Sequence, residues 1–304
     1  MNRVERVCSE IRGSEGSYIS RLTVLVRGIA RPALDRRIID GATHERVFSC
    51  VESLIPLHER ILEQLEAART PAEHAQPFVD AWDEVAVRYA RFATRDDAFG
   101  DETLERLMRE NAPFKALCDA VRASHPENIM IQGLLKWPFS RLPRYRLLFR
   151  DLSLAMGPAH VDQPVVAHLL HLLDEVMDSI NEKRRVISCR LEFLRLVEAF
   201  GPVIVSPTRV LIDTFCVDML LSGGGAAVVR LALFNDAVLL CKAVSRKRLE
   251  LVEFGLLADM QLRAGARPTV LELVGRSEVH QLRVSHQRDC DMLMELFQQH
   301  GQRD

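Results

Sequence analysis

Apolar side chains recur every three or four residues over the first two thirds of the chain, up to about residue 198. This spacing places them on one face of a helix. The longest such pattern starts at Pro164 and runs toward Leu194 with no internal Gly or Pro, which predicts one helix of about 30 residues, roughly 45 Å long. The first pattern, near the N-terminus, consists of Val7, Ile11, Tyr18, Leu22, Leu25 and Ile29. Together these patterns predict an elongated all-α helical bundle.

The rhythm changes after Gly201 and Pro202, where short apolar runs alternate with Gly, Ser, Asn-Asp and Arg-rich turns. Such runs predict antiparallel strands, and the Gly223–Gly225 run is interpreted as a flexible hairpin loop. The predicted strands cover residues 203–205, 210–221, 228–244, 249–262, 269–274 and 279–284, and a helix is predicted over 286–300. This part is expected to form a small antiparallel β-barrel or sandwich capped by a C-terminal helix. The predicted fold class is multidomain, α then β, with domains at 4–198 and 202–302.

Composition and charge exclude several classes of protein. The chain has 304 residues, with 40 basic and 42 acidic side chains and a net charge of −2. A general nucleic-acid binder needs a basic excess, so no nucleic-acid partner is expected. No apolar run approaches a membrane span, and the N-terminus has no signal-peptide core. The seven cysteines include no CxxC pair, which favours buried thiols in a reducing compartment. A cytoplasmic location is predicted.

The common catalytic signatures are absent: the nucleophile elbow, the HExxH metal motif, the phosphate-binding P-loop and the dinucleotide-binding glycine pattern. His168, His171 and Asp174 occupy positions i, i+3 and i+6 of the predicted long helix, a spacing that metal ligands can have. A solvated polar face explains them more simply, because no second ligand cluster completes the site. No cofactor and no metal is expected.

One segment, residues 134–152, carries a more specific signal. It reads LLKWPFSRLPRYRLLFRDL, with prolines at positions 138 and 143 inside an apolar helical pattern, which predicts a kinked helix that displays Arg141, Arg144 and Tyr145. The segment resembles the pattern L-[IL]-x-P-[IV]-Q-R-[IL]-P-R-Y-x-L-L-L-x-x-L of the Dbl homology domain, the exchange unit of Rho-family guanine-nucleotide exchange factors. Further segments resemble that family in the same order, over about residues 4–190: Ser9-Glu10-Ile11, Ser14-Glu15, Tyr18-Ile19 and Leu22, then Tyr89, Asn111-Ala112-Pro113 and Leu117, then Ile180-Asn181.

The β-rich part resembles a pleckstrin homology domain, which usually follows a Dbl homology domain. The resemblance lies in residues 231–242, LALFNDAVLLCK. The family's usual Trp in the C-terminal helix is missing, and Leu293 or Met294 is expected to fill that core position. Residues 210–229 contain Asp213 and Asp218 but no Lys or Arg, whereas a phosphoinositide headgroup needs converging cations. The basic turn 246–248 is the only feature expected to attract this domain to a membrane surface, so at most weak peripheral membrane association is predicted.

The resemblance implies an exchange factor for a Rho-family small GTPase, a regulator without covalent chemistry. Such factors stabilise the nucleotide-free GTPase and thereby promote GDP release. The implied GTPase-binding residues are Glu15 against switch 1, and Asp174 and Asn181 of the last helix against switch 2. Arg141, Arg144 and Tyr145 of the motif either contact the GTPase or brace the fold. Ile129 lies either near the position that tunes GTPase choice or in the core.

Trp137 departs from the family, because it occupies a position where Lys is frequent and Lys136 lies one residue earlier. One residue along a helix rotates a side chain by about 100°. Either Lys136 reaches the acidic group of the switch from a shifted angle, or Trp137 replaces the ion pair by apolar packing. The alternative function is therefore an exchange-inactive scaffold that binds a GTPase or another signalling protein. A helical enzyme with metal at His168, His171 and Asp174 is a third, weaker hypothesis.

Overall fold

The computed structural model describes residues 2–94, 97–245, 248–275 and 278–301. The chain divides into two compact units, Met1–Arg184 and Arg185–Asp304. The first is helical, and the second combines a sheet with helical segments. The predicted order of an all-α part followed by a β-rich part is confirmed.

The helical unit is built from helices joined by short turns. Their bounds are α1 Arg3–Thr23, a π-helical turn Val24–Ala30, α2 Arg31–Asp35, α3 Gly41–Glu52, α4 Leu54–Ala67, α5 Pro71–Asp80, α6 Trp82–Ala93, α7 Asp97–Glu110, α8 Ala112–Ser124, α9 Ile131–Lys136, a 3-10 turn Trp137–Ser140, α10 Arg141–Met156 and α11 Gln163–Phe200, which belongs to this unit up to Arg184. The long uninterrupted pattern from residue 164 is thus one helix, as predicted.

Local chemistry sets several of these helix ends. The side chain of Asn2 accepts a hydrogen bond from the Glu5 amide at 2.8 Å, and the Glu5 carboxylate accepts one from the Asn2 amide at 2.9 Å. This reciprocal pair satisfies two amides that have no partner within the helix. Asn111 caps α8 with a single bond, because its side chain accepts a hydrogen bond from the Phe114 amide. Helix α10 ends at Gly157, whose φ of 79° favours a residue without Cβ.

The two prolines of the predicted kinked helix lie at helix starts. Pro138 is in the first turn of the 3-10 segment, and Pro143 is the third residue of α10. The first amides of a helix have no intrahelical acceptor, so neither proline removes a bond that its helix would otherwise make. The segment therefore consists of three consecutive helical elements, α9, the 3-10 turn and α10.

The core of the helical unit receives buried side chains from α1 to α11. Its largest buried side chains are mostly aromatic, and they include Phe48, Phe78, Phe114 and Phe149. Phe78 packs edge-on against Tyr145 and against Phe149 at centroid distances of 4.8 and 5.3 Å. This packing fixes α10 against α5 and brings the motif segment against α1.

The second unit contains an antiparallel seven-stranded sheet and a closing helix. The strands are β1 Leu211–Leu220, β2 Ala226–Phe234, β3 Ala237–Ser245, β4 Arg248–Leu256, β5 Gln261–Ala264, β6 Val270–Val274 and β7 Val279–Arg283, followed by α12 Gln287–Gly301. Their order in the sheet is β4-β3-β2-β1-β7-β6-β5. The Gly223–Gly225 run lies in the β1–β2 hairpin, as predicted, with φ of 83° at Gly224 and 94° at Gly225.

The strand predicted at residues 203–205 is wrong. A 3-10 turn covers Gly201–Val203, and Ile204 is fully buried against the sheet beside Leu196 of α11. The apolar run therefore supplies one anchoring side chain and pairs with no strand in the described ranges.

Helix α12 packs against a second hydrophobic cluster of the sheet unit, separate from the cluster that contains Ile204. Leu293 is fully buried there together with Cys290 and Phe297, and Met294 packs at the edge of the same cluster. Of the two residues expected to fill this core position, Leu293 is fully buried and Met294 is partly buried. Within the described ranges, the helices are too short or too polar to cross a lipid bilayer.

Candidate functional site

A buried ion pair joins α1 to α10 beneath the motif segment. Glu15 and Arg141 are 0% and 4% exposed, and the Arg141 guanidinium donates a hydrogen bond to Glu15 Oε2. The Tyr145 hydroxyl donates to the same oxygen at 2.6 Å, and His58 Nδ1 lies 2.7 Å from Glu15 Oε1. An ionised carboxylate only accepts hydrogen bonds, so His58 Nδ1 carries the proton. Both carboxylate oxygens are satisfied inside the protein.

A chain of hydroxyls continues from His58 into the core. The Tyr89 hydroxyl lies 3.0 Å from His58 Nε2, and the Tyr18 hydroxyl lies 3.0 Å from that of Tyr89. A phenol hydroxyl both donates and accepts, so Tyr89 can bond to His58 and to Tyr18 at the same time. The Arg141 guanidinium also stacks on the Tyr145 ring, with Cζ 4.2 Å from its centroid. The network connects α1, α4, α6 and α10.

The network fixes the charge of its members. Burial alone would raise the pKa of Glu15, but the charge and hydrogen bond of His58, the charge of Arg141 and the bond from Tyr145 outweigh it and lower that pKa to about 2. Burial also raises the pKa of Tyr89 and Tyr145 well above the usual range for a phenol. At neutral pH the carboxylate is therefore ionised and the phenols are protonated.

Glu15 is buried, although the resemblance implies that it contacts a partner, and Arg141 braces α10 against α1. Glu15 presents no atom at the surface, because Arg141, Tyr145 and His58 surround its carboxylate. The pair holds α1 against α10 and so positions the side chains at the surface above it. A periodic signal existed in the sequence: Glu15 lies four residues after Ile11, three before Tyr18 and seven before Leu22, inside the apolar stripe of α1.

An open groove lies directly above this pair. One wall is α1, and the other is formed by the 3-10 turn and the start of α10. The lining residues are Glu10, Gly13, Ser14, Ser17, Tyr18, Arg21, Trp137, Ser140, Arg141, Pro143, Arg144 and Leu147. Arg144 donates to Glu10 across the groove at 2.7 Å, and both side chains are about half exposed. Leu147 is also exposed, so the groove offers charged and apolar contacts together.

Trp137 lines the groove with an arginine from the opposite wall. Arg21 Cζ lies 3.8 Å from the centroid of the Trp137 ring, a cation–π contact. Lys136, the neighbour in sequence, is exposed and does not line the groove. Sequence analysis did not find Arg21, because its contact depends on a residue more than one hundred positions away. No periodic signal marks such a pair.

The remaining predicted residues lie away from the groove. Asp174 on α11 accepts a hydrogen bond from Arg146 of α10, and both side chains are nearly half exposed. Asn181 is exposed and lines a small hollow with Phe139 and Pro143, on the other side of the motif segment. Ile129 is half-buried and packs against the helical core.

A metal is not favoured by this arrangement. His171 lies 3.5 Å from Glu175 on the same helix, and Asp174 is engaged with Arg146. Among the described residues, no group of three or more His, Cys, Asp or Glu side chains is placed to hold an ion. The basic turn discussed for membrane attraction includes Arg246 and Lys247, which lie outside the described residues.

Comparison with known proteins identifies the class to which this fold and groove belong. The model of the RhoGEF domain matches residues 7–181, more than half of the chain. The chain belongs to the RhoGEF domain family, whose members are guanine-nucleotide exchange factors that regulate GTPases. The matched range includes both walls of the groove and the buried ion pair beneath it.

The chain is similar to curated relatives at low identity. It is 23% identical over 242 residues to human "Rho guanine nucleotide exchange factor 3", covering 78% of this chain and 45% of the relative. It is 22% identical over 269 residues to human "Phosphatidylinositol 3,4,5-trisphosphate-dependent Rac exchanger 2 protein", covering 80% of this chain and 16% of the relative. The chain thus spans less than half the length of these relatives.

Solved structures share the fold of both parts. The DH/PH fragment of PDZRHOGEF, solved in complex with human RhoA, superposes with a TM-score of 0.79 at 15% identity, covering 97% of this chain and 92% of that one. The linker-DH/PH domains of p115-RhoGEF superpose with a TM-score of 0.68 at 15% identity, covering 98% and 97%. The expected fold class, a Dbl homology-like bundle followed by a pleckstrin homology-like sheet and helix, is confirmed.

Proposed function

We propose that this chain is a guanine-nucleotide exchange factor for a Rho-family small GTPase, and that the groove between α1 and the motif segment receives the GTPase. The observation that carries the proposal is the groove itself, which has a buried Glu15–Arg141 pair as its floor and arginines along its walls. It lies within the range that matches the RhoGEF domain. The PDZRHOGEF fragment of similar fold is in complex with RhoA, which supports a Rho-like partner.

The mechanism requires binding alone. A protein that binds the nucleotide-free GTPase more tightly than the loaded form must weaken nucleotide binding by the same factor. For this task a preorganised surface is preferable to a mobile one, because less ordering free energy opposes docking. The buried network linking α1, α4, α6 and α10 supplies that rigidity. Arg144, Leu147 and Trp137 supply the contacts.

The roles of the residues outside the groove follow from their positions. Asp174 and Asn181, on the outer face of α11, extend the docking surface to the other side of the motif segment. Lys136 lies at its edge, and Ile129 supports α9 from the core. Glu15 and Arg141 are positioning residues, because their ion pair holds α1 against α10 and so fixes the two walls of the groove. The proposed domains remain 4–198 for exchange and 202–302 for the flanking module.

The test is release of a fluorescent GDP analogue from a panel of Rho-like and Rac-like GTPases, with this protein at substoichiometric amounts. We expect faster release from at least one member, with turnover, since one molecule of exchange factor serves many GTPases. The matched control is Leu147→Glu, which places a charge at the exposed apolar position of the groove and leaves the buried network intact. Equal release with and without the protein across the panel would contradict the proposal.

Trp137 favours a second candidate function, a scaffold that binds a GTPase without accelerating exchange. Trp137 cannot form the ion pair that a lysine at this position would form with an acidic group of the GTPase, and its ring stacks on Arg21 instead. Retained binding to the nucleotide-free GTPase, without any acceleration of release, would support the scaffold. The Trp137→Lys variant would then be expected to gain exchange activity.

The sheet unit is proposed to act in the cytoplasm, with at most weak membrane recruitment. The described β1–β2 hairpin between residues 220 and 226 carries no cation. Sedimentation with phosphatidylcholine vesicles, with and without 5% phosphoinositide, tests this. We expect little difference between the two, and strong selective binding would contradict the proposal.

A further inference from the structure

Arg21 is held at a fixed position in the groove by two contacts. Its guanidinium stacks on Trp137 with Cζ 3.8 Å from the ring centroid. Its Nη2 donates to both carboxylate oxygens of Glu127, at 2.8 and 2.6 Å. Stacking on an indole restricts a guanidinium without neutralising it. The charge of Arg21 therefore has a defined place next to the residue that stands at the usual lysine position.

Glu127 reaches Arg21 from a well-ordered turn between α8 and α9. Asn128 adopts a φ of 50°, and its side chain accepts a hydrogen bond from Arg122 Nε at 2.9 Å. The Glu127 amide donates to His125 Nδ1 at 3.2 Å. The turn thus directs the Glu127 carboxylate to Arg21 by its own hydrogen bonds. Glu127 is 53% exposed, whereas Arg21 is 19% exposed.

The groove has an excess of positive charge on its walls. Arg21, Arg141 and Arg144 line it, against a single lining acid, Glu10. Arg141 is engaged with buried Glu15, and Arg144 is bonded to Glu10. Glu127, the counter-ion of Arg21, does not line the groove. Arg21 Nε and Nη1 donate no hydrogen bond to any described residue. The one N–H group of Nε and the two of Nη1 therefore remain for another acceptor.

We propose that Arg21 is the cation that binds an acidic side chain of the partner, and that Glu127 occupies this cation in the unbound protein. The inference rests on the proposed function, because it assumes that the groove receives a GTPase. The cation that meets this acidic side chain is therefore Arg21 of α1, which stacks on Trp137, and not a lysine of the motif segment. Glu127 competes with the partner for Arg21, so the turn between α8 and α9 lowers the affinity of the groove.

The experiment measures the dissociation constant for a nucleotide-free GTPase that wild type binds, together with the rate of GDP-analogue release. Arg21→Gln is expected to weaken binding by about tenfold or more, the effect of losing a hydrogen bond to a charged group. Glu127→Gln removes the competitor and is expected to strengthen binding, by up to about fivefold, as for an exposed ion pair. The double variant is expected to bind like Arg21→Gln alone.

Matched controls carry the same charge changes outside the groove. Arg27→Gln and Glu63→Gln change exposed residues of the same unit, and both are expected to bind like wild type. Equal thermal midpoints for all variants establish that folding is intact. Glu127→Gln also provides a gain of affinity, which a loss of folding cannot imitate.

The outcomes separate the two proposals. Binding by wild type that Arg21→Gln leaves unchanged overturns the role of Arg21 and retains the proposed function. An equal gain from Glu127→Gln with and without Arg21 overturns the competition. If wild type binds no nucleotide-free GTPase of the panel, both the proposed function and the role of Arg21 are overturned.

Discussion

Arg141 and Glu15 form a hydrogen-bonded ion pair in the interface between α1 and α10, out of contact with solvent. Burying two charges is unfavourable unless each is paired and further hydrogen bonds satisfy the remaining atoms. Here Tyr145 and His58 supply those bonds to the Glu15 carboxylate. Among the described residues, Arg141 Nε is buried without a hydrogen-bond partner. The pair therefore connects the fold of the helical unit to the position of its groove.

Removing one member of the pair should destabilise the helical unit strongly. Arg141→Met leaves the Glu15 carboxylate buried without its cation, and we expect a loss of about 3–5 kcal/mol in the free energy of unfolding. Urea denaturation at pH 7 measures it. Arg144→Met serves as the control, because its pair with Glu10 is half exposed and such pairs contribute about 0–1 kcal/mol. Equal losses for the two variants would show that Arg141 is not buried as described.

The pH dependence of stability should carry the signature of Glu15. Its pKa is lowered from 4.5 to about 2 in the folded protein. The stabilisation is therefore complete above about pH 4.5 and is lost as the pH falls toward 2. Its size is about 3 kcal/mol, from 1.4 kcal/mol per unit. Urea titrations between pH 6 and pH 3 should show a shallower decline for Glu15→Gln than for wild type, and Glu10→Gln should retain the wild-type slope.

The two ends of the hydroxyl chain should respond differently to loss of an oxygen. Tyr89→Phe leaves both the His58 ring and the Tyr18 hydroxyl without a partner in the core, so we expect a loss of about 2–3 kcal/mol. Tyr18→Phe removes only the outer bond and should lose about 1 kcal/mol. Thermal and urea denaturation of the two variants compare them directly. A larger loss for Tyr18→Phe would contradict the position of Tyr89 between His58 and Tyr18.

Arg144 should affect association and leave stability nearly unchanged. Under the proposed function, Arg144→Gln removes an exposed charge from the rim of the groove, and such charges chiefly set the association rate. We expect the association rate with the GTPase to fall about severalfold at low salt, and the difference to shrink as ionic strength rises. Stopped-flow measurements between 25 and 300 mM NaCl test this. A salt-independent deficit would point to a direct packing role.

Leu293 should be essential to the sheet unit. It is fully buried beneath α12, and truncation of a buried Leu to Ala destabilises by about 2–5 kcal/mol. The control is Met292→Ala on the same helix, because that side chain is exposed. Limited proteolysis should cleave Leu293→Ala within the sheet unit faster than Met292→Ala. Equal cleavage rates would contradict the core position of Leu293.

Periodicity alone predicted much of the fold. The 38-residue helix α11 followed from an uninterrupted three-and-four spacing, and β1, β6 and β7 followed from short apolar runs between turn residues. The predicted ranges 228–244 and 249–262 each cover two strands, β2 with β3 and β4 with β5. Residues 203–205 were misassigned because three apolar residues in a row satisfy a strand and a buried turn equally well. The periodic pattern does not indicate which of these applies, since burial of Ile204 depends on the sheet that it meets.

The site was less predictable, because motif matching identifies residues without their depth. Glu15 matches the motif and also lies within the apolar stripe of α1, and only the stripe indicates that it is buried. Arg21 matches nothing, yet it lines the groove through a contact with Trp137. Contacts between distant elements depend on how the helices pack, and local spacing does not encode them.

The buried pair restricts how this chain can vary over generations. Arg141→Met is expected to remove about 3–5 kcal/mol from a total that for a domain is about 5–15 kcal/mol. A substitution at position 15 or position 141 alone therefore removes a large part of the free energy of unfolding, whatever it does to partner binding. The two positions are expected to vary together among descendants of this chain. Glu127 and Arg144 are about half exposed and lie outside the buried network, so this restriction does not apply to them.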